Sequence, residues 1–233
     1  VIICGYHGWT DWYVAANLSS SAALDGHLLP GIPPAGVPRQ LTGTTLTFHY
    51  NKIDELRAVL DANPGEIAAV VMEPMRSAPP ENGFLEQVRQ MATDAGAVLI
   101  FDEITAGFRL NTGGLHLLMG VTPDIAVFAK AISNGYPMAA VIGTADVMQG
   151  AQDSFISSTY WTERIGPVAA LATIHKHRAV NAGAHLKAIG ERIQAGWRAA
   201  GQKAGLPVTV GGLAPLSHFS MDVPDALAVR TLF

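Results

Sequence analysis

The 233-residue sequence has one cysteine, few charges and no long apolar run. A single thiol, Cys4, excludes an internal disulfide and fits a reducing, cytoplasmic compartment. Set in VIICGY, it reads as a buried core thiol rather than a nucleophile. Charged residues make up only 15%, and 15 basic against 19 acidic side chains give a net charge of −4. There is no basic run, which argues against a nucleic-acid or anionic-membrane surface. No stretch is long and apolar enough to span a bilayer, and the first residues lack the basic region of a secretory signal. The GxSxG elbow, the HExxH pair, the Walker loop and the GxGxxG turn are all missing. The closest histidine pair, His175 and His177, has an i, i+2 spacing that points to different sides of a helix, so no metal site is expected.

What the chain has is apolar substance, 49% hydrophobic residues, enough to bury a large core in one large or two small domains. Residues 1–6 read as a buried strand leading into the polar-aromatic loop GYHGWTDWY, and 19–44 as a long loop of functional or interface character. TLTFHY (45–50) alternates like a strand, and Asn51 is a good N-cap for a helix over IDELRAVLDAN that Pro64-Gly65 ends. Continuous apolar runs in IAAVVMEP (67–74), AVLIFDE, IAVFA (125–129) and AAVIGT (139–144) are expected of strands buried on both faces. A helix around FLEQVRQMATDAG separates the first two, closed by Gly96, and residues 163–200 read as a long helix bent near Asn181–Gly183. Alternating strands and helices predict an α/β fold: a mostly parallel sheet in three layers, with helices on both faces. After Pro207 the pattern turns to short β-like pieces, so the expected division is a large domain over 1–205 and the start of a smaller α+β domain over 206–233. The chain begins without Met inside a strand, and both ends read as cut from a longer protein.

In open α/β sheets, ligands sit outside the C-terminal ends of the strands. Tyr6 and His7, Glu73, and Asp102-Glu103 fall at such ends, and Lys130 directly follows IAVFA. A carboxylate there is costly unless paired. Asp102 would pair with a cationic ring nitrogen, with a nearby arginine, or as the cap of the next helix. A partly desolvated Lys130 would be a nucleophilic amine able to form a Schiff base; otherwise it is a solvated surface lysine. Together the two are what a protein supplies to use pyridoxal phosphate (PLP). Tyr6 and His7 offer an aromatic face for a flat ring, or simply a packed corner. Glu73 is either a polar neighbour of the cofactor or an ion-pair partner. Ser157, Ser158 and Thr159 precede a helix start, where hydroxyls and amides bind phosphate or act as an ordinary cap.

The segments GYHGW (5–9), VVMEP (70–74), LIFDEITAGFR (99–109), PDIAVFAKAISNGYPMAAVIG (123–143) and SSTYWTERIGPVAALATI (157–174) resemble, in order and spacing, the class III aminotransferases of PLP fold-type I. Within that class the chain is most similar to the branch of glutamate-1-semialdehyde 2,1-aminomutase and related aminotransferases. The resemblance implies that Lys130 forms the internal Schiff base and shuttles the proton, and that Asp102 keeps the pyridine nitrogen protonated. It places Tyr6 on the ring, with His7 beside it. Thr159 is implied to reach the phosphate of the neighbouring subunit, hence a homodimer with the site at its interface. Glu73 matches a motif position close to the site. Thr105 stands where many members have Gln or Met, and the Gln contacts the ring hydroxyl. The family's own-subunit phosphate-gripping segment would lie before Val1, and much of its small domain after Phe233.

The function so implied is transfer of an amino group from a small-molecule donor to a carbonyl acceptor. The alternatives are the intramolecular aminomutase reaction and a non-catalytic homologue acting only in assembly. A glutamate-semialdehyde substrate would need a cation for its carboxylate, for which Arg109 and Arg164 are the sequence candidates. The run from Trp9 to Tyr13 hints at a bulkier or sugar-like acceptor.

Overall fold

The computed structural model describes residues 1–159 and 162–232. Tyr160 and Trp161 of the 157–174 motif, and Phe233, lie outside the described residues. In chain order, strand β1 (Ile2–Cys4) leads into the one-turn helices α1 (Asp11–Val14) and α2 (Ala16–Ser19). Strand β2 (Leu46–Thr47), helix α3 (Ile53–Ala62), strand β3 (Ala69–Met72), helix α4 (Phe84–Asp94) and strand β4 (Val98–Asp102) follow. Then come α5 (His116–Met119), β5 (Ile125–Phe128), β6 (Ala140–Gly143) and α6 (Ala145–Gln149). The helices α7 (Ile165–Ala179) and α8 (Ala182–Ala204) precede a hairpin, β7 (Val208–Gly211) and β8 (His218–Met221), and the final helix α9 (Ala226–Leu232).

The first six strands form one sheet in the order β2-β1-β3-β4-β5-β6. All neighbours are parallel except β5 and β6, which run antiparallel. The chain moves from β1 outward to β2, then crosses back over β1 to β3 and continues to the other side. That reversal lies beside β1 and opens the crevice in which such sheets bind ligands. The α/β architecture is the expected one.

Strand residues alternate between two cores, as the period of two requires. Ile2, Cys4, Val70, Met72, Leu99 and Phe101 share one face with Leu56 of α3 and Phe84, Leu85, Val88 and Ala92 of α4. Ile3 and Val71 point the other way, with Ile100, toward Tyr13, Val14 and Ala16 of the short helices and Leu24 and Ile32 of the long loop. Helical cover is therefore unequal: long helices on one face, two single turns and a loop on the other. Each fully buried Leu or Phe contributes about 1.5–3 kcal/mol relative to exposure. α4 ends as expected: Gly96 takes φ 67°, and the amides of Gly96 and Ala97 return to Thr93 O and Ala92 O.

Two local expectations are corrected. Asn51 does not cap α3, whose N-cap is Lys52. Asn51 sits at φ 63°, and its side chain bridges to Pro79 O and the Glu81 amide, so a loop partner 30 residues away outcompetes the local cap. The stretch 163–200 is two helices rather than one bent helix, parted where Asn181 adopts φ 48°. α8 packs against β7 and the 3-10 turn Ala214–Leu216, with Trp197 and Phe219 rings 5.0 Å apart. This holds the hairpin beside the sheet.

Candidate functional site

The C-terminal ends of β1, β3, β4 and β5 carry the polar residues. β1 delivers Gly5, whose φ of 113° is accessible to glycine and turns the chain out of the sheet. Its N–H donates to His27 Nδ1 (3.0 Å), and its carbonyl accepts from the Tyr13 hydroxyl (3.1 Å). A Cβ here would lie 3.0 Å from Glu73 Oε2. The Gly5 peptide is thus held on three sides, and it aims the next two residues, Tyr6 and His7.

His7 and Asp102 meet across 95 residues, Nδ1 to Oδ2 at 2.8 Å. A carboxylate only accepts, so Nδ1 carries the proton. Asp102 is 8% exposed, and its Oδ1 accepts the Ile104 amide at 3.0 Å. Both oxygens keep a further acceptor position for a ring N–H. His7 is stacked on Trp12 with centroids 6.2 Å apart, and its Nε2 is buried without a partner among the described residues. Tyr6 is half-buried, edge-on to Trp9 and Tyr13.

Glu73, at the end of β3, is 5% exposed. Its Oε1 accepts from Arg76 at 2.7 Å, and its Oε2 lies 3.5 Å from the Tyr6 amide. Burial pushes its carboxyl above the ordinary range; Arg76 pulls it back and Asp102 pushes it further up. Glu103, beside Asp102, turns away from the site. It is fully buried and takes both the amide and Nδ1–H of His116 on Oε1 (2.9 and 2.8 Å).

Lys130 follows β5 in the left-handed region at φ 50°, an unfavourable conformation for a side chain of this kind. Its Nζ donates to Thr105 Oγ1 at 2.8 Å. The expected desolvation is corrected: Lys130 is exposed, and a hydroxyl rather than an apolar wall holds its amine. Thr105 sits on the segment that leaves β4. His177 of α7 pins that segment, with Nε2–H on Phe108 O (3.0 Å) and Nδ1 accepting from the Thr112 hydroxyl (2.8 Å).

The structure therefore brings Tyr6, His7, Glu73, Asp102, Thr105 and Lys130 to one edge of the sheet. Thr159 is exposed in the turns before α7. At the start of α7, Glu163 takes the amides of Ile165 and Gly166, so a carboxylate rather than Ser157–Thr159 occupies those donors. The sequence reading missed Arg76 and His27. A cation three residues after a strand-end carboxylate was the available signal for Arg76; nothing local marks His27.

The profile of the family described as Aminotransferase class-III matches residues 2–221. The chain belongs to the class III aminotransferase family. Among its relatives is the 3-aminobutyryl-CoA aminotransferase of Cloacimonas acidaminovorans (strain Evry), 39% identical over 177 residues, covering 73% of this chain and 39% of that protein. Another is the glutamate-1-semialdehyde 2,1-aminomutase 2 of Lysinibacillus sphaericus (strain C3-41), 35% identical over 220 residues, covering 92% and 50%. Of solved structures, the FumI protein of Sphingopyxis sp. MTA144, in its PLP internal aldimine form, superposes with a TM-score of 0.82 at 26% identity, covering 95% of this chain and 51% of that one. The chain thus spans about half, or less, of the lengths of these relatives.

Class III aminotransferases use PLP, and the residues present fit it. Asp102 offers a buried carboxylate with acceptor capacity left over, as a pyridinium N–H needs. Lys130 offers an amine on a strained turn at the neighbouring strand end, and Tyr6 an aromatic face. Among the described residues no cluster suits a metal ion, and no helix is long and apolar enough to cross a membrane.

Proposed function

We propose that this protein is a PLP-dependent aminotransferase that moves an amino group from a small-molecule donor to a carbonyl acceptor. The observation that carries the reading is the pairing of Lys130 and Asp102 at the same ends of adjacent parallel strands, Asp102 registered on Val127 three residues before the lysine. PLP, when bound, supplies an aldehyde that condenses with amines and a protonated ring that withdraws electrons from the attached carbon.

The chain's own residues then have distinct tasks. Asp102 holds a proton on the ring nitrogen, which requires a carboxylate that stays ionised and fixed. His7 fixes it from one side through Nδ1–H, and the Ile104 amide from the other. Lys130 Nζ would be the point of covalent attachment for PLP and, when free, the base that moves a proton between the substrate carbon and the carbon on the other side of the transferred nitrogen. Thr105 Oγ1 accepts from Nζ and limits its arc. Tyr6 covers a ring face. Thr159, exposed before α7, serves the phosphate of the neighbouring subunit in a homodimer. The domain division at residues 205/206 and a cytoplasmic location belong to the same proposal.

The test is a visible spectrum of the purified protein with PLP, before and after borohydride, with mapping of the modified peptide. Irreversible labelling of Lys130 is expected. Labelling of another lysine, or retained transamination by Lys130→Ala, overturns the assignment. A second reading, intramolecular aminomutase, draws support from the aminomutase relatives; the same residues would serve it. Exchange of isotopic nitrogen between separate donor and acceptor molecules separates the two.

A further inference from the structure

A cleft of about 560 Å³ opens on the segment that follows β4. Thr105, which holds Lys130 Nζ, forms part of its wall. The opposite wall comes from the C-terminal hairpin, Leu216 to Ser220, and from Arg230 of α9. Its described lining includes Arg76, His218 and Arg230 and the hydroxyls of Ser77, Ser217 and Ser220, and no carboxylate. Such a lining suits an acceptor-rich, anionic ligand of ordinary metabolite size. A second cavity, of about 250 Å³ at the ends of β1 and β3, shares Leu28, Arg76 and Ser77 with this cleft. Arg76 stands at the junction of the two.

We propose that Arg76 is the specificity-determining residue of the site, seating a carboxylate of the amino donor or carbonyl acceptor remote from the reacting carbon. The inference rests on the aminotransferase reading and names its substrate class: carboxylate-bearing amines and carbonyl compounds. Arg76 is pre-positioned for the task. One NH1 hydrogen is committed to Glu73 Oε1 at 2.7 Å, and that carboxylate is itself buried. Among the described residues, Nε and NH2 are not engaged, and the side chain keeps 30% of its exposure. The free Nε–NH2 edge is the one that grips a planar carboxylate in two parallel hydrogen bonds. A guanidinium already anchored loses little freedom on binding. The Arg76 carbonyl also accepts the Leu213 amide (3.4 Å), tying this loop to the hairpin that forms the far wall.

The two arginines expected from sequence face elsewhere. Arg109 directs Nε to Thr105 O (3.3 Å) and lines a separate cavity against α7 and α8. Arg164 lines a shallow cavity with Tyr136, Ile165 and Val168. Arg230 shares the cleft but is exposed and, among the described residues, has no buried carboxylate to anchor it.

Calorimetric titration of the full-length holoenzyme with glutarate, glutaramide and inorganic phosphate tests the proposal. Glutarate is expected to bind, glutaramide not, and Arg76→Met to weaken glutarate at least tenfold with the cofactor band in place. Because that variant strands the buried Glu73, the double variant Glu73→Gln/Arg76→Met is measured beside it; glutarate binding should stay weak. Absence of glutarate binding by the wild type, equal binding of glutaramide, tighter binding of phosphate, or wild-type glutarate affinity in either variant overturns the proposal. Failure of the aminotransferase reading shows separately, as absence of a borohydride-fixed label on Lys130.

Discussion

Two glycines of one helix should respond to the same substitution with opposite signs. Gly190 and Gly196 both lie inside α8, where alanine is favoured over glycine by about 0.8–1 kcal/mol. At Gly196 an added Cβ meets nothing within 4 Å. Gly196→Ala should therefore stabilise by up to about 1 kcal/mol. At Gly190 the same Cβ would lie 1.9 Å from Ala214 O and 2.2 Å from Ala214 C. These are backbone atoms of the turn that α8 packs against, so no rotamer change relieves the overlap. Overpacking costs about 1–3 kcal/mol, and a backbone obstacle puts the cost at the upper end. Subtracting the propensity gain leaves Gly190→Ala about 2 kcal/mol less stable than wild type, and about 3 kcal/mol below Gly196→Ala. With a urea slope of about 2 kcal/mol/M, the two midpoints should stand about 1.5 M apart. The slope itself should not change. Equal midpoints, or a raised midpoint for Gly190→Ala, would refute the close approach of α8 to the 214–216 turn, and with it the hairpin wall of the cleft.

Three further outcomes are expected. Burial, with Glu73 and Glu55 nearby, pushes the Cys4 thiol far up, so iodoacetamide should leave it untouched in the native protein and alkylate it fully in denaturant; fast native alkylation would count against the packing of β1. Burial lowers His27 to about 4 from its ordinary 6.5, so its contribution to stability is complete above pH 6.5 and is lost as pH falls toward 4. His27→Asn keeps an acceptor for the Gly5 amide without that titration and should flatten the fall of Tm across this window; an unchanged slope would sink the assignment. Asp102→Asn should cut kcat by about 10²–10³-fold, the scale seen when a preorganised electrostatic partner is removed; a loss under tenfold would remove Asp102 from the ring nitrogen.

The strands were legible because four apolar runs of strand length leave few other choices. Their pairing was not. AAVIG reads like the parallel runs before it, and the antiparallel entry of β6 is set by how the 130–138 segment turns rather than by the strand's own residues. Likewise, Lys130 and Asp102 could be picked out by type and by position at strand ends, while their supports could not. The His7–Asp102 bond spans 95 residues and the Lys130–Thr105 bond spans 25. Residue type announces that such a group needs a partner; only the register of β4 on β5 and the turn at Gly5 choose which one.

Arg76 shows where sequence reasoning stops for a physical reason. Proximity to motifs favours Arg109 and Arg164, because each lies inside a segment that carries chemistry. An arginine selects a substrate only if it faces the reacting amine, is anchored, and has a free edge, and each condition depends on distant parts of the chain. The face is set by the hairpin at 208–221, which α8 holds against the sheet end through Gly190 and through Gln194 on Gly212 O (3.1 Å). The anchor is Glu73, whose carboxyl is pushed up by burial and pulled part of the way back by the guanidinium. The free edge exists because, among the described residues, Glu73 takes a single N–H of Arg76. On the proposed reading, substrate choice would follow from how the C-terminal hairpin meets the β3 loop, and the chemistry from the ends of β4 and β5. The two can be altered independently, Arg76 without Lys130 and Lys130 without Arg76.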